Sequence, residues 1–168
     1  MEIQSLRTND CVDEVINRYS NMVYRLALAN TVGVQNAEDV FQDVFLTLIS
    51  KPQTFKDNEH LKAWLIRVTI NKCRSLRSSV WFQKTEPLNV SIADNSRVFE
   101  KELENDLFEY LKLLPQKYRL VIHLFYCEEL SVKQIGKILN AGESTVRTWL
   151  TRARKILKEK LKGDYFNE

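Results

Sequence analysis

The chain has 168 residues, 44% of them hydrophobic, which allows one domain or two small ones with modest cores. No apolar run approaches membrane-spanning length and no apolar secretion core stands near the start, so we expect a cytoplasmic protein without membrane insertion. The net charge of only +3 hides a strong asymmetry: nine basic residues stand against two acids between Ser131 and Lys162.

The cysteines and histidines favour neither a disulfide framework nor a metal centre. Cys11, Cys73 and Cys127 are odd in number and share no metal-ligand spacing, which is typical of reduced, partly buried thiols in a cytosolic protein. His123 and Cys127 lie four residues apart on a predicted helix and could in principle share a metal. A pair without further ligands favours core packing instead. We therefore expect no metal and no cofactor.

Two helices are predicted in the first fifty residues. Apolar residues recur at helical spacing from Val12 to Leu28, and Thr31-Val32-Gly33 closes that element. Asn36 is predicted to cap the second helix, with acidic residues in the first turn, where the helix dipole favours them. The apolar residues of this helix exceed what a single core contact needs, and Pro52 ends it.

A third helix is predicted from about Glu59 to Arg77, with an apolar and a basic face. The apolar face holds Leu61, Trp64, Leu65, Val68 and Cys73. The basic-polar face holds Lys62, Arg67, Asn71, Lys72, Arg74 and Arg77, and Phe55 and Lys56 lie in the preceding loop. Cations, an amide and aromatic groups can follow a single nucleic-acid strand. Trp64 shares the face of the leucines, which favours a core position over a stacking role.

The composition changes after this helix. Turn formers, a proline and weak periodicity between Ser78 and about Arg97 indicate a linker. Helical periodicity returns near Leu103, and Pro115 suits the first turn of the following helix. We therefore predict an all-α fold of two small helical domains, residues 1–77 and 99–168, joined by a linker over residues 78–98.

The segment from Leu130 to Leu157 is typical of a helix-turn-helix. Ser131 and Gln134 form a capping-box pattern, and the turn formers Asn140-Ala141-Gly142 separate two helices. The second helix buries one apolar stripe. Its other side carries hydroxyl and guanidinium groups that suit base edges and phosphates in a major groove: Ser144, Arg147, Thr148, Arg152 and Lys155. The alternative is an antiparallel helix pair with a solvated basic face.

Three stretches in this order resemble one protein family. They are AEDVFQDVFLTL (37–48), TFKDNEHLKAWLIRVTINKCRSL (54–76), and LPQKYRLVIHLFYCEELSVKQIGKIL followed by STVRTWLTRAR. Together they resemble bacterial sigma factors of the extracytoplasmic-function group. The resemblance implies an alternative sigma factor that binds core RNA polymerase and directs promoter recognition, −10 melting and transcription initiation. It also implies promoter DNA and an anti-sigma factor as partners.

The resemblance assigns residues to three sites. The first domain would be sigma region 2 and the second sigma region 4. Contacts with the polymerase β′ clamp helices would come from Glu38, Asp39, Gln42 and Asp43. Contacts with the single-stranded −10 element would come from Phe55, Lys56, Arg67, Asn71 and Lys72. Contacts with the −35 duplex would come from Ser144, Thr145, Arg147, Thr148 and Arg152, while the same domain rests on the β flap.

The sequence also departs from the family pattern, and other functions remain open. Gly136 stands where alanine is common, Trp149 where a basic residue is frequent, and the Asn140-Ala141-Gly142 turn is unusual, which favours an unusual promoter preference. A stand-alone helix-turn-helix regulator is the main alternative, although it leaves the basic third helix without a use. An enzyme is disfavoured because the chain has no phosphate-cradling glycine loop and no nucleophile–base pair at recognisable spacing.

Overall fold

The computed structural model describes residues 9–51, 53–78 and 106–165. The regular elements within these ranges are helices, and the chain divides into two compact units, Met1–Pro87 and Leu88–Glu168. The predicted all-α fold of two small helical domains is confirmed. Most of the predicted linker lies outside the described residues, and the boundaries at 77 and 98 stay predictions. Within the described ranges no helix combines the length and apolarity needed to span a bilayer.

Within the described residues of the first unit, three helices pack around one core. Helix α1 spans Asn9–Asn30, α2 spans Val34–Ser50 and α3 spans Asn58–Ser78. Each helix turns one apolar stripe inward, and the fully buried side chains include Val23, Leu26, Val44, Leu61, Leu65 and Ile66. An edge-to-face aromatic contact between Tyr24 and Phe41, with ring centroids 6.1 Å apart, joins α1 to α2. Phe41 also contacts Phe45 of the same helix, with ring centroids 5.0 Å apart.

Helix α2 begins earlier than the sequence pattern indicated. Gly33, with φ of 81°, precedes the first helical residue, and Asn36 lies inside the first turn. The Asn36 amide donates back to the Val32 carbonyl at 2.7 Å, so the predicted capping role of Asn36 is wrong. The reason is that Gly33 can adopt a positive φ without a steric penalty, which turns the chain three residues sooner.

The buried stripe of α3 is also shifted from the predicted one. Ile66, Thr69 and Ile70 are buried beside Leu61, Leu65 and Cys73, whereas Trp64 and Val68 are partly exposed. The Thr69 hydroxyl donates to the Leu65 carbonyl at 2.7 Å, which satisfies it inside the core. Trp64 therefore lies at the edge of the exposed face and not in the core.

The described part of the second unit, residues 106–165, contains four helices. Helix α4 spans Asp106–Lys112, α5 spans Gln116–Ile122 and continues as a π-helical turn over His123–Cys127, α6 spans Val132–Leu139 and α7 spans Glu143–Tyr165. Arg119 of α5 donates to the carbonyls of Leu111, Lys112 and Leu114 at 2.9–3.0 Å. Leu111 and Lys112 end α4 and Leu114 follows it, so Arg119 ties α5 to the end of α4.

The helix-turn-helix forms as predicted. Ser131 Oγ accepts from the Gln134 N–H at 3.2 Å, and Gln134 Oε1 accepts from the Ser131 N–H at 2.8 Å, which completes the capping box. Asn140 ends α6 in the left-handed conformation, with φ of 53° and ψ of 48°. The Ala141 N–H donates to the Gly136 carbonyl at 2.9 Å, and this bond folds the turn back onto α6.

Gly136 is needed for that close approach. A Cβ added at Gly136 would lie 2.7 Å from the Ala141 carbonyl oxygen and 3.9 Å from a methyl of Val146. The absence of a side chain at Gly136 therefore gives the backbone of the turn its space.

Gly136→Ala should lower the free energy of unfolding by about 1–3 kcal/mol, because the obstructing atom belongs to the backbone of the turn. The matched control is Gly163→Ala in α7, where an added methyl meets no atom within 4 Å. Helix propensity alone should stabilise the control by about 0.5–1 kcal/mol. Urea titration of the full chain, followed by circular dichroism, measures both variants. Equal stabilisation by the two alanines would contradict the close approach.

Candidate protein and nucleic-acid interfaces

One exposed face of α2 combines acidic and apolar side chains. Glu38, Asp39, Gln42 and Asp43 are all exposed and recur at spacings of three and four residues. Toward the end of the helix, Leu46 and Ile49 extend the same side of the helix and are 59% and 57% exposed. We call these six residues the α2 face. Three carboxylates and two large apolar groups suit a protein partner better than a nucleic acid.

The exposed side of α3 carries a line of polar, aromatic and cationic residues. His60, Trp64, Arg67 and Asn71 are four, three and four residues apart and therefore share one side of the helix. Trp64 is partly exposed and the other three are exposed. We call these four residues the α3 stripe. Lys72 is rotated by about 100° from Asn71 and is partly buried, so it lies beside this stripe and not on it.

Phe55 does not offer a stacking surface in this structure. Its side chain is 4% exposed, and its ring makes edge-to-face contacts with His60 and Trp64 at centroid distances of 5.5 and 5.6 Å. Burial is favourable for this apolar ring, which is more stable packed than exposed to water, and the contact of Phe55 with the −10 strand stays a prediction. Lys56, the other residue predicted in this loop, is exposed.

Arg77 is a structural anchor and not a member of the basic face. Its Nη2 donates to the carbonyl of Asn30, the last residue of α1, and the side chain is partly buried. Burial lowers the pKa of the Arg77 guanidinium. Arg77 thus caps the end of α1, while Arg74 is exposed three residues earlier. Helical periodicity alone gives no signal that separates these two arginines.

The recognition helix α7 exposes all five residues predicted for duplex DNA. Ser144, Thr145, Arg147, Thr148 and Arg152 are exposed, while Val146, Leu150 and Ala153 are buried on the opposite side. Arg147 Nη2 lies 3.3 Å from Glu143 Oε2, an exposed pair. Such a pair is worth at most about 1 kcal/mol, so the guanidinium can leave it for another partner at little cost. Trp149 is only partly exposed.

Arg154 is held by aromatic residues of the π-helical turn. Its guanidinium carbon lies 5.5 Å from the ring centroids of both Phe125 and Tyr126, and its Nε donates to the Tyr126 hydroxyl at 2.7 Å. These contacts direct Arg154 toward the π-helical turn, away from the predicted reading residues. The sequence pattern groups Arg154 with the other cations because its hydrogen-bond partner Tyr126 lies 28 residues earlier in the chain.

The cysteines and His123 occupy separate environments. Cys73 is buried, and burial raises the pKa of its thiol to about 11, which keeps it protonated near neutral pH. Cys11 is partly buried, but Cys127 is exposed, contrary to the prediction of partly buried thiols. His123 is buried with its Nε2 3.5 Å from Glu128 Oε1. His123 and Cys127 therefore do not present their side chains to one site.

Comparison with known proteins links both units to one family. The family model described as Sigma-70 region 2 matches residues 15–82, and the model described as Sigma-70, region 4 matches residues 104–157. The chain is 29% identical over 168 residues to the ECF RNA polymerase sigma factor SigW of Bacillus subtilis, covering 91% of this chain and 90% of SigW. It is 28% identical over 158 residues to the B. subtilis ECF RNA polymerase sigma factor SigM, covering 88% and 93%.

Solved structures share the fold. The sigma factor RpoE of Bartonella quintana, in complex with the anti-sigma factor NepR, matches with a TM-score of 0.67 and 20% identity, covering 89% of this chain and 96% of RpoE. CnrH, in complex with the cytosolic domain of CnrY, matches with a TM-score of 0.66 and 21% identity, covering 94% and 92%. At these identities the likeness shows the arrangement of helices.

Proposed function

The chain belongs to the extracytoplasmic-function group of the sigma-70 family, and we propose that its three exposed faces divide the work of an alternative sigma factor. The α2 face binds core RNA polymerase, the α3 stripe holds the opened −10 element, and α7 reads the −35 element as duplex. The observation that carries this proposal is the contrast within the first unit, where α2 exposes carboxylates and α3 exposes cations.

The α2 face suits the β′ clamp helices of polymerase. Its carboxylates can pair with cations of a protein partner, and Leu46 and Ile49 can bury apolar surface at the same contact. Burying an exposed leucine or isoleucine contributes about 1.5–3 kcal/mol, while paired charges set orientation and partner choice. A phosphate backbone would instead be repelled by Glu38, Asp39 and Asp43.

The α3 stripe suits a single strand. Asn71 offers both a donor and an acceptor to an unstacked base, and Arg67 supplies a cation one turn earlier. Lys56 lies in the loop before the helix and adds a further exposed cation near its start. Lys72, at the flank, can neutralise a phosphate without facing a base. Together these residues can hold a strand that has left the duplex.

The α7 side chains suit a major groove. Arg147 lies in the second turn, where the early residues of a recognition helix reach base edges, and its fork can donate two hydrogen bonds to a guanine. The Thr148 hydroxyl donates to the Ser144 carbonyl at 3.0 Å, which leaves the threonine methyl available for apolar contact with a thymine methyl. Arg152 lies further along and is better placed for a phosphate.

The remaining parts of the proposal concern location and regulation. A sigma factor works beside polymerase and the chromosome, so we place this protein in the cytoplasm. One structural neighbour, the sigma factor RpoE, was solved in complex with an anti-sigma factor, which supports an anti-sigma factor as a further partner. The stand-alone regulator is not favoured, because the match to sigma region 2 accounts for the first unit as well. No catalytic step belongs to this role.

Polymerase docking can be tested by reversing charge on the α2 face. Gln42→Ala combined with Asp43→Lys should weaken binding to core polymerase at least about tenfold, since close charge pairs across interfaces are coupled by about 1.5–7 kcal/mol. Asp13→Lys, which reverses an exposed acid on α1, is the matched control and should bind normally. Fluorescence anisotropy with labelled protein measures both. Unchanged affinity in the double variant with an intact helical spectrum would contradict this docking face.

Duplex reading can be tested by comparing two arginines of α7. Arg147→Ala should lose about 1–3 kcal/mol and relax selectivity at one or two base pairs of the −35 element, because a bidentate base contact is removed. Arg152→Ala should weaken binding to all promoter variants by a similar factor and reduce the salt dependence. Holoenzyme binding to a panel of promoter variants at two ionic strengths separates them. A uniform loss for Arg147→Ala would make Arg147 a backbone contact.

A further inference from the structure

His60 begins the α3 stripe and was not among the residues that the sequence assigned to the −10 strand. It is exposed, and it precedes Arg67 by seven residues and Asn71 by eleven, close to two and three full turns of helix. Its ring therefore stands on the same side of α3 as the proposed strand contacts, at the end nearest to Lys56.

Two hydrogen bonds fix the position of His60. Its backbone N–H donates to Asp57 Oδ1 at 2.7 Å, and its ring Nδ1 accepts from the Lys56 N–H at 3.2 Å. This pairing resembles a capping box in which histidine replaces the usual glutamate or glutamine. Because Nδ1 accepts, the proton of the neutral ring is on Nε2. An exposed N–H donor is thus held in a defined orientation at the start of the stripe.

The His60 ring also packs against a buried aromatic side chain. Phe55, although buried, contacts the His60 ring edge-to-face with a centroid distance of 5.5 Å and an interplanar angle of 73°. Phe55 in turn contacts Trp64 at 5.6 Å and 66°. The three rings form a continuous aromatic layer in which the buried Phe55 joins exposed His60 to partly exposed Trp64. Such a layer restricts the motion of the His60 ring, which lowers the entropy lost when it receives a ligand.

We propose that His60 contacts an unstacked base of the −10 non-template strand, by stacking and by donating from Nε2–H to an acceptor on the base. Phe55 packs against the His60 ring, holds it in place for this contact, and does not touch the strand. The inference rests on the proposed function of the α3 stripe and adds a base-contact residue to it. His60 offers a ring surface for stacking and one N–H donor. An unstacked base can use both, whereas a phosphate group can only accept the hydrogen bond.

The experiment tests whether the contribution of His60 to binding depends on the presence of one particular base. Holoenzyme built from the full chain is bound to promoter fragments whose −10 bubble is already mismatched, and each non-template position is replaced in turn by an abasic site. Wild type is compared with His60→Ala, His60→Gln and Asn71→Ala. Glutamine is the matched control, because its carbonyl can still accept from the Lys56 N–H while the aromatic face is lost.

Loss of a stacked base typically costs about tenfold in affinity. We expect His60→Ala and His60→Gln each to bind the intact bubble with about tenfold lower affinity than wild type. Removing one particular base should lower the affinity of these variants no further. At every other position the protein and abasic losses should multiply. Asn71→Ala should show the same behaviour at a different base.

Three outcomes would overturn the inference. Normal binding by His60→Gln would mean that His60 only supports the loop. Multiplying losses at every position would mean that His60 touches no base. Normal binding by His60→Ala would remove it from the site altogether. In each case the proposed function would still be supported if wild-type holoenzyme binds the bubble and Asn71→Ala shows a base-specific defect. The proposed function itself would be contradicted if wild-type holoenzyme does not bind the bubble.

Discussion

The packing of α2 and α3 against α1 determines which side chains of the first unit can meet a partner. Each of these helices must bury one apolar stripe, since a unit of this size has no other source of a core. Once Val44 and Leu48 of α2 turn inward, the carboxylates and Leu46 must turn outward. Once Ile66 and Ile70 of α3 turn inward, Arg67 and Asn71 must turn outward. The functional faces are therefore the sides of the helices that lie opposite the core.

In the second unit the presentation of α7 depends on a backbone contact as well as on buried apolar stripes. The turn between α6 and α7 approaches Gly136 so closely that no side chain fits there, and the Ala141 N–H bond to the Gly136 carbonyl holds it in place. This contact sets how α7 leaves α6 and hence how Arg147 and Thr148 are presented. A helix-turn-helix with a side chain at position 136 would need the backbone of the turn to lie farther from α6.

Local patterns predicted the features that depend on nearby residues. The capping box at Ser131, the left-handed turn at Asn140 and the exposed residues of α7 follow from helical periodicity and from interactions within four residues. Predictions failed for residues whose contacts come from distant parts of the chain. Arg77 bonds to Asn30, 47 residues away, which no periodicity could indicate.

The loop before α3 could not be predicted from residue types alone. An aromatic residue in a polar loop is equally consistent with a stacking surface and with a small core, and only the contacts of Phe55 with His60 and Trp64 decide between them. The same contacts bring His60 into the candidate site, although a single histidine in a helix carries no recognisable motif. The start of α2 was misplaced for a local reason, since Gly33 adopts a positive φ and the helix begins before Asn36.

The central claim is that this chain confers promoter specificity on polymerase, and transcription with purified components tests it most directly. Core RNA polymerase is incubated with genomic fragments, with and without the full chain, and the transcript starts are mapped. The account predicts discrete starts that require the added protein and share one −10 and one −35 element at fixed spacing. Tight binding of the protein alone to duplex DNA, with no new start when polymerase is present, would contradict it.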